Sequence, residues 1–166
     1  MNNVVEAIIE IPMGTKNKYE IDKKRNRIKL DRVLYTTMSY PAEYGYIDKT
    51  LSHDGDPLDI LVLSTEKTFP GCIIDARIVG YLDVIDNGEA DQKVIAVVDK
   101  DPRYDHIQEL SDIPDTTLEI IKDFFTTYKT LQKITVETKD YHGKEDALKL
   151  LQENRDLYIK SITKES

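Results

Sequence analysis

One stretch of the chain constrains the fold more than any other: Asp54-Gly55-Asp56-Pro57-Leu58-Asp59, followed directly by the apolar run Ile60-Leu61-Val62-Leu63. The stretch cannot be helical, because Gly55 is permissive and Pro57 fixes φ and lacks an N–H group. The residue before a proline is also pushed into an extended conformation. The apolar run predicts a buried strand, with Asp59 at its mouth.

The three carboxylates of this stretch lie within six residues of one another. Crowded carboxylates repel, and a hard divalent cation between them removes the repulsion. An EF-hand loop is excluded, because Leu58 stands at the fifth position, Asp59 at the sixth where glycine is needed, and Thr65 at the twelfth where glutamate is needed. The spacing favours a metal site, and an ordinary surface turn remains the alternative.

Composition points to a globular protein. The chain has 166 residues, of which 40% are hydrophobic and 33% charged, so residues 1–166 are expected to form a single domain. Its net charge is −8, and the only basic cluster is Lys23-Lys24-Arg25, which we interpret as a solvated turn. A general nucleic-acid binder is therefore not expected. No apolar run approaches the ~20 residues that span a bilayer.

Cysteine and histidine usage excludes other site classes. Cys72 is the only cysteine, so no intramolecular disulfide is possible, and the first residues do not resemble a secretory signal. A cytoplasmic location is therefore expected. His53, His106 and His142 are isolated from one another and from Cys72, which excludes the ligand spacing of zinc sites.

Alternating or continuous apolar residues predict a series of strands. These strands are Val4–Ile11, Lys18–Asp22, Arg27–Leu34, Ile60–Leu63, Cys72–Leu82 with a bulge at Gly80, Lys93–Val98 and Lys133–Glu137. The segment Ser39–Tyr46 carries three tyrosines around a proline and a glycine, and we interpret it as an aromatic loop rather than a central strand. A second acidic patch, with Asp83, Asp86, Glu89 and Asp91, surrounds the turn signal Asn87-Gly88.

Two amphipathic helices follow the strands. The first is predicted at Thr116–Gln132 with Asp115 as its N-cap, and its apolar face holds Leu118, Ile121, Phe125, Tyr128 and Leu131. The second is predicted at Lys144–Ile162, with apolar positions at Ala147, Leu150, Leu151, Leu157, Tyr158 and Ile162. Strands in meander order followed by two helices indicate a closed barrel with helices packed on its side.

Acidic patches after different strands, with Lys, Arg and Tyr in adjacent segments, suit one reaction class best. Bound Mg²⁺ turns such carboxylates into a platform for phosphates and lowers the pKa of a coordinated water. Basic side chains then hold the remaining phosphate oxygens. The sequence contains no G-x-S-x-G motif, no Cys–His pair and no Walker-type glycine loop. These features indicate metal-assisted attack of water on phosphorus.

The chain resembles the family I soluble inorganic pyrophosphatases of bacterial type, from about residue 4 to residue 132. The signature is Asp54-Gly55-Asp56-Pro57-Leu58-Asp59-Ile60. Further segments on both sides of the signature are similar to the family and stand in the family's order: Ile9–Pro12, Lys18–Asp22, Asp31-Arg32, Tyr40–Tyr46, Asp86–Lys93, Tyr104–Ile107 and Phe124–Lys129. The resemblance implies an α+β fold that is mainly β, a distorted five-stranded OB-type β-barrel with two flanking α-helices.

The resemblance also implies a set of metal ligands. Asp54, Asp59 and Asp91 are expected to hold the first activating Mg²⁺, with Asp59 reaching a second ion. Asp86, together with Asp91, is expected to hold an ion that arrives with substrate, and Glu20 another.

The remaining implied roles concern the reaction itself, the hydrolysis of inorganic diphosphate to two orthophosphates. Asp56 is expected to act as general base on a metal-bridging water, which attacks one phosphorus as hydroxide. The phosphates are expected to contact Lys18, Arg32, Tyr44, Lys93, Tyr128 and Lys129, and supporting roles fall to Glu10 and Tyr40. Bacterial relatives are usually homohexamers, so the resemblance implies a homo-oligomer, with a hexamer favoured.

The chain departs from the family pattern at a few positions. Glu43 stands where relatives often have asparagine, which is expected to add a negative charge near the site. Thr138–Tyr141 replaces an expected Gly-Trp pair, and the resemblance weakens over residues 133–166. Two other functions compete: a Mg²⁺-dependent hydrolase of a small organic diphosphate, and a non-enzymatic OB-type binding module. A site crowded by Lys18, Arg32, Tyr44 and Tyr128 would leave little room for an organic group.

Overall fold

This computed structural model describes residues 2–164. Nine β-strands and two α-helices lie within this range, joined by loops and short 3-10 turns. The strands are β1 Val4–Ile11, β2 Asn17–Asp22, β3 Arg27–Val33, β4 Glu43–Ile47, β5 Leu58–Leu63, β6 Ile73–Asp86, β7 Glu89–Ala90, β8 Lys93–Val98 and β9 Val136–Gly143. The helices are α1 Asp115–Thr127 and α2 Lys144–Lys164. Neither helix has an apolar stretch that could cross a bilayer.

Five strands close into a barrel in the order β1–β4–β5–β8–β6, and pairing of β6 with β1 completes the ring. The pairs in this ring are antiparallel except β5–β8, which is parallel. Strands β7 and β9 pair with β6, while β2 and β3 form a separate hairpin. The predicted five-stranded barrel with two helices is confirmed, and the single domain over residues 1–166 stays a prediction.

Residues of β5 alternate between two apolar clusters. Leu58, Ile60 and Val62 belong to a cluster that all five barrel strands share with α2. Asp59 and Leu61 lie on the opposite face of the strand, because successive side chains of a strand alternate. Leu61 packs there against residues that include those of α1. Asp59, the predicted site residue on β5, therefore faces the α1 side of the barrel.

Predicted and observed strands agree where hydrophobic alternation is regular. Strands β1 and β8 have the predicted bounds, and β2 and β3 differ by one residue each. The register of β6 against β8 shifts between Ile78 and Gly80, where a bulge was predicted.

The prediction of an aromatic loop at Ser39–Tyr46 is wrong over its second half. Glu43–Ile47 forms β4, a strand inside the barrel between β1 and β5. A side-chain Cβ at Gly45 would lie only 1.9 Å from the carbonyl oxygen of Ile8. The glycine therefore does not break the strand; it permits the close approach of β1.

The bounds predicted for the last elements need correction. Helix α1 begins at Asp115, which was predicted as the N-cap, and ends at Thr127; a separate 3-10 turn follows at Thr130–Gln132. The helical period is lost there, so Leu131, predicted on the apolar face, is 63% exposed. Lys133 adopts a left-handed φ of 59° and ends this turn, so the last strand runs over β9 instead of Lys133–Glu137.

Helix α2 follows its prediction more closely, from Lys144 to two residues past the predicted end. Its first half is buried through Ala147, Leu150 and Leu151. Leu157 and Tyr158 are half-buried, and Ile162 is 48% exposed, so the apolar face is not covered at its carboxyl end.

Arg77 on β6 holds the irregular segment that follows β8. Its buried guanidinium forms an ion pair of 2.8 Å with Asp99 and donates to the carbonyl oxygens of Tyr104 and Ile107. One side chain therefore satisfies several acceptors that would otherwise lie unpaired near the barrel wall.

We expect Arg77→Met to lower the free energy of unfolding by about 3 kcal/mol, because it leaves buried carbonyl groups and a carboxylate without their donor. Urea denaturation followed by circular dichroism measures the loss. Lys100→Met is the matched control. Lys100 is exposed and its ion pair with Asp75 is long, at 3.9 Å, so little change in stability is expected. Equal stability of the two variants would contradict the assigned role of Arg77.

Candidate active site

Predicted site residues from β1, β2, β4, β5, β6 and β8, from the segments between strands and from the residues directly after α1 line one cavity of about 640 Å³. Thirteen of the fourteen predicted residues line it: Glu10, Lys18, Glu20, Tyr40, Tyr44, Asp54, Asp56, Asp59, Asp86, Asp91, Lys93, Tyr128 and Lys129. Residues far apart in the sequence thus form one site.

Arg32 is the predicted residue that does not line the cavity. One of its terminal nitrogens lies 2.7 Å from Asp31, and Lys18 Nζ lies 3.5 Å from the same carboxylate oxygen. The register of the hairpin shifts here, since Lys18 pairs with Arg32 but Tyr19 pairs with Leu30, which leaves Asp31 as the extra residue. Arg32 Nε is buried and has no hydrogen-bond partner among residues 2–164, so this guanidinium has an unused donor.

Lys93 lies at the centre of the site and is 1% exposed. Its Nζ donates to Asp59 at 2.7 Å, to Asp91 at 2.9 Å and to the hydroxyl of Tyr44 at 2.6 Å. The Tyr44 hydroxyl in turn donates to Asp59 at 2.9 Å. The parallel register of β5 and β8 pairs Asp59 directly with Lys93, so the fold itself sets this contact.

Burial and charge oppose one another in this cluster. Burial raises the pKa of Asp59 above its ordinary value, and the ammonium of Lys93 offsets only part of this. Burial also acts to raise the pKa of Asp91, but Lys93 outweighs it and the pKa falls. Burial alone would lower the pKa of Lys93, whereas the surrounding acids, led by Asp59, raise it well above the ordinary value. Lys93 therefore stays protonated in the interior.

A second ion pair lies where α1 meets the end of β6. Lys129 Nζ donates to Asp86 at 2.6 Å, and the Tyr128 hydroxyl lies 3.4 Å from the same oxygen. The turn after Asp86 is the predicted Asn87-Gly88 pair, with φ of 51° and 84°. The second acidic patch thus contributes Asp86, Glu89 and Asp91 to the cavity, whereas its Asp83 lies outside the lining.

The Asp54–Asp59 stretch enters the cavity as a tight turn. Gly55 has a φ of 89°, and Asp54 Oδ1 accepts a hydrogen bond of 3.0 Å from the N–H of Asp56. Burial raises the pKa of Asp54, and the negative charges of Asp91 and Asp56 act in the same direction. The Asp56 side chain is exposed, and no hydrogen bond or ion pair to its carboxylate is found within residues 2–164.

The two predicted supporting residues have distinct surroundings. Glu10 is the extra residue of a bulge in β1, where Ile9 pairs with Gly45 and Ile11 with Tyr44. Its Oε2 accepts the N–H of Ile21 on the β2–β3 hairpin at 2.9 Å, and burial raises its pKa.

Tyr40 is almost fully buried, and its ring packs 5.3 Å from that of Tyr44 and 4.8 Å from that of Phe124. Glu10 thus joins the hairpin to the barrel, and Tyr40 supports the wall behind Tyr44.

Comparison with known proteins places this arrangement in one family. The family model for inorganic pyrophosphatase matches residues 7–159. The chain is 54% identical over 152 residues to an inorganic pyrophosphatase of Geobacillus stearothermophilus, which covers 92% of each chain. It is 47% identical over 155 residues to one of Haloferax volcanii, covering 93% of this chain and 88% of the relative. The crystal structure of inorganic pyrophosphatase from Thermus thermophilus superposes with a TM-score of 0.91 at 43% identity, over 94% of this chain and 91% of that one.

The chain belongs to the inorganic pyrophosphatase family. This confirms the resemblance to the soluble family I enzymes that the motifs indicated. The family match continues to residue 159, well past the last motif recognised in the sequence. The segment that was expected to diverge, residues 133–166, therefore lies mostly within the family's own fold.

One prediction about an individual charge does not hold in this member of the family. Glu43 was expected near the site, but it is fully buried outside the lining, where its carboxylate accepts from the N–H groups of Met13 and Thr68 and from the Thr68 hydroxyl. Lys23 lies in an exposed turn, as the sequence indicated, and it also lines the cavity, 5.8 Å from the ring of Tyr46.

No sequence pattern marks Lys23 as a site residue. Its place depends on how Glu10 docks the hairpin, which is a long-range contact.

The donor set of the cavity suits hard cations. Eight carboxylates and four lysines line it, which leaves four negative charges in excess when all are ionised. Among residues 2–164, no three His, Cys, Asp or Glu side chains lie close enough to enclose an ion as they stand, and Lys93 contacts both Asp59 and Asp91. Burial raises the pKa values of Asp54 and Asp59, and the charge of neighbouring Asp91 acts in the same direction. Oxygen ligands with uncompensated charge fit Mg²⁺.

Proposed function

We propose that this chain hydrolyses inorganic diphosphate to two orthophosphates and uses Mg²⁺ to do so. The observation that carries the proposal is one cavity in which an excess of carboxylates faces a set of lysine and tyrosine donors. Carboxylates suit hard cations, and lysine and tyrosine donors suit phosphate oxygens. Membership of the inorganic pyrophosphatase family supports the same substrate.

The acids of the cavity would hold the ions. We assign Asp54, Asp59 and Asp91 to the first Mg²⁺, and Asp86 and Glu20 to further ions. When bound, Mg²⁺ neutralises phosphate charge and lowers the pKa of the water that attacks. Lys93, which contacts both Asp59 and Asp91, limits the repulsion between these acids before an ion binds.

Asp56 is assigned as the general base. Its carboxylate lines the cavity and is exposed, so it is accessible to a proton from water, and its backbone N–H is held by Asp54. As the water oxygen bonds to one phosphorus, its proton passes to Asp56. The bridging P–O bond breaks, and the leaving phosphate takes the electron pair of that bond.

The cationic and phenolic side chains are assigned to the phosphates. Lys93 and Lys129 now donate to carboxylates, and an incoming phosphate offers oxygens that compete for the same N–H groups. Arg32, whose terminal nitrogen pairs with Asp31 outside the cavity lining, would have to exchange this carboxylate for a phosphate oxygen. The donors in this assignment are Lys18, Arg32, Tyr44, Lys93, Tyr128 and Lys129.

The cavity is large enough for the alternative substrate class, the small organic diphosphates. About 640 Å³ lies within the range of small-molecule sites, and Arg32 does not narrow the space as the sequence predicted. A small organic diphosphate would therefore fit by volume. Charged and tyrosine side chains dominate the lining, so the described cavity offers little apolar surface to hold an organic group. Selection for inorganic diphosphate would rest on this property of the lining.

Assembly and location remain proposals as well. We propose a cytoplasmic homo-oligomer, with a hexamer favoured, formed by one domain that spans residues 1–166. Exposed apolar side chains on the hairpin and near Gly71, such as Ile28, Phe69 and Ile73, support contact between copies. Light scattering coupled to gel filtration measures the mass of the assembly.

We expect rapid phosphate release from diphosphate with Mg²⁺, none with EDTA, and slow release with Ca²⁺, whose looser coordination positions the water poorly. ATP and a sugar diphosphate serve as matched substrates and should be hydrolysed far more slowly. Phosphate release is followed colorimetrically with purified protein. Faster turnover of the sugar diphosphate would favour the organic alternative, and no turnover of any substrate would favour a binding module.

A further inference from the structure

The loop that carries Asp54 and Asp56 joins β4 to β5 and is closed at its base by Thr50. The Thr50 hydroxyl donates to the carbonyl of Ile47 at 2.5 Å and accepts from the N–H of Leu58 at 2.9 Å. These bonds hold the two ends of the loop together. They do not set the conformation of the acidic turn farther along.

Ser52 sets the conformation of that turn. Its N–H donates to the carbonyl of Asp56 at 2.7 Å, and its own carbonyl accepts from the N–H of Gly55 at 3.0 Å. Both acids of the turn therefore move with the backbone of Ser52. Whatever fixes Ser52 also fixes the directions in which Asp54 and Asp56 enter the cavity.

Asn154 of helix α2 contacts this segment twice. Its Nδ2 donates to the Ser52 hydroxyl at 3.1 Å, and its backbone carbonyl accepts from the N–H of Leu51 at 2.9 Å. Asn154 is 3% exposed, on a helix whose other buried residues are apolar. Burying an amide is unfavourable unless its hydrogen bonds are met, so packing of α2 alone does not account for asparagine here.

Buried polar side chains are concentrated in this network. Among residues 2–164, six polar or charged side chains are buried, and three of them, Thr50, Ser52 and Asn154, fix the acidic loop. The other three are Glu43, Arg77 and Lys93. Half of the buried polar side chains therefore serve one short loop, which is the segment that brings two predicted site carboxylates into the cavity.

We propose that Asn154 is a positioning residue, which acts through Ser52 to hold Asp54 and Asp56 in the geometry that Mg²⁺ binding and proton transfer require. The proposal rests on the proposed function for the roles of these two acids. Hydrogen bonds that orient metal ligands change metal affinity by about 10- to 100-fold when they are lost. Helix α2 thereby acts on the site although none of its residues lines the cavity.

The test is a double-mutant cycle with Asn154→Leu, Ser52→Ala and the double variant. Leucine keeps the branched shape of asparagine and removes its amide, and alanine removes the hydroxyl that accepts the hydrogen bond. Isothermal titration calorimetry measures Mg²⁺ binding without substrate, and hydrogen exchange measures the protection of the Gly55 and Asp56 amides. Gln152→Leu is the matched control, because Gln152 lies on the exposed side of α2 and its amide donates to Asp156.

We expect each single variant to bind Mg²⁺ about 10-fold more weakly and to exchange the Gly55 and Asp56 amides faster, with no further loss in the double variant. The Gln152→Leu control should match the wild type. Unchanged Mg²⁺ affinity in both single variants, even with a lower melting temperature, overturns the proposal, as do additive losses in the double variant. Wild-type protein that binds Mg²⁺ without hydrolysing diphosphate refutes the proposed function alone; wild-type protein that binds no Mg²⁺ refutes both.

Discussion

Replacing Asp56 with asparagine is expected to lower kcat for diphosphate hydrolysis by about 10²- to 10⁴-fold, the usual contribution of a general base. The asparagine amide has the same shape but cannot accept the proton of the attacking water. Asp54, Asp59 and Asp91 remain in place, so calorimetric Mg²⁺ affinity should change only a few-fold. The rate is measured as initial phosphate release at saturating Mg²⁺ and diphosphate.

Asp48→Asn provides the matched control. Asp48 is an exposed carboxylate that precedes the same acidic turn, but it does not line the cavity. Its loss removes the same charge from the same loop without touching the site, so turnover should stay at the wild-type level. Near-full activity of Asp56→Asn would show that another group takes the proton.

Lys93→Met is expected to have the second large effect, on stability as well as on turnover. Methionine fills the space of the lysine stem but leaves Asp59 and Asp91 close together without their shared cation. Removing one partner of a buried ion pair costs about 3–5 kcal/mol, so unfolding in EDTA should become easier by this amount. Loss of a charged phosphate donor should lower kcat by about 10²- to 10³-fold.

Mg²⁺ distinguishes the two consequences of this substitution. An ion that binds only the folded protein stabilises it, so Mg²⁺ should restore much of the stability of Lys93→Met but not its turnover. Urea denaturation with and without Mg²⁺ measures this. Lys93→Met combined with Asp59→Asn removes a negative charge too and should be more stable in EDTA than Lys93→Met alone. If Lys93→Met unfolds like the wild type in EDTA, the central ion pair is not stabilising.

The sequence predicted the barrel and most of the cavity lining because both depend on local patterns. Regular alternation located β1 and β8, and the carboxylates around Gly55 and Pro57 located the acidic turn. The motifs of the family brought Tyr128 and Lys129, far along the chain, into the same site. These features are readable from the sequence because each is set by neighbours within a few residues or by a recognisable motif.

The errors arose where a distant contact decides the structure. Gly45 was taken for a strand breaker, and only the approach of Ile8 shows why a strand needs glycine there. Asp31 draws the guanidinium of Arg32 to itself through a bulge that no local pattern marks. Lys23 enters the cavity because a carboxylate on another strand docks its hairpin. Tertiary contacts override local preference at each of these positions.

The parallel pairing of β5 and β8 also determines when the site can exist during folding. Asp59 and Lys93 face one another across it but are 34 residues apart along the chain. Parallel neighbours require the chain to cross over between them. Here the crossing segment includes β6, which closes the barrel by pairing with both β8 and β1. Contacts between residues distant in the chain form slowly. Recovery of enzymatic turnover after denaturation should therefore lag behind recovery of secondary structure, since a partly renatured chain still lacks the candidate active site.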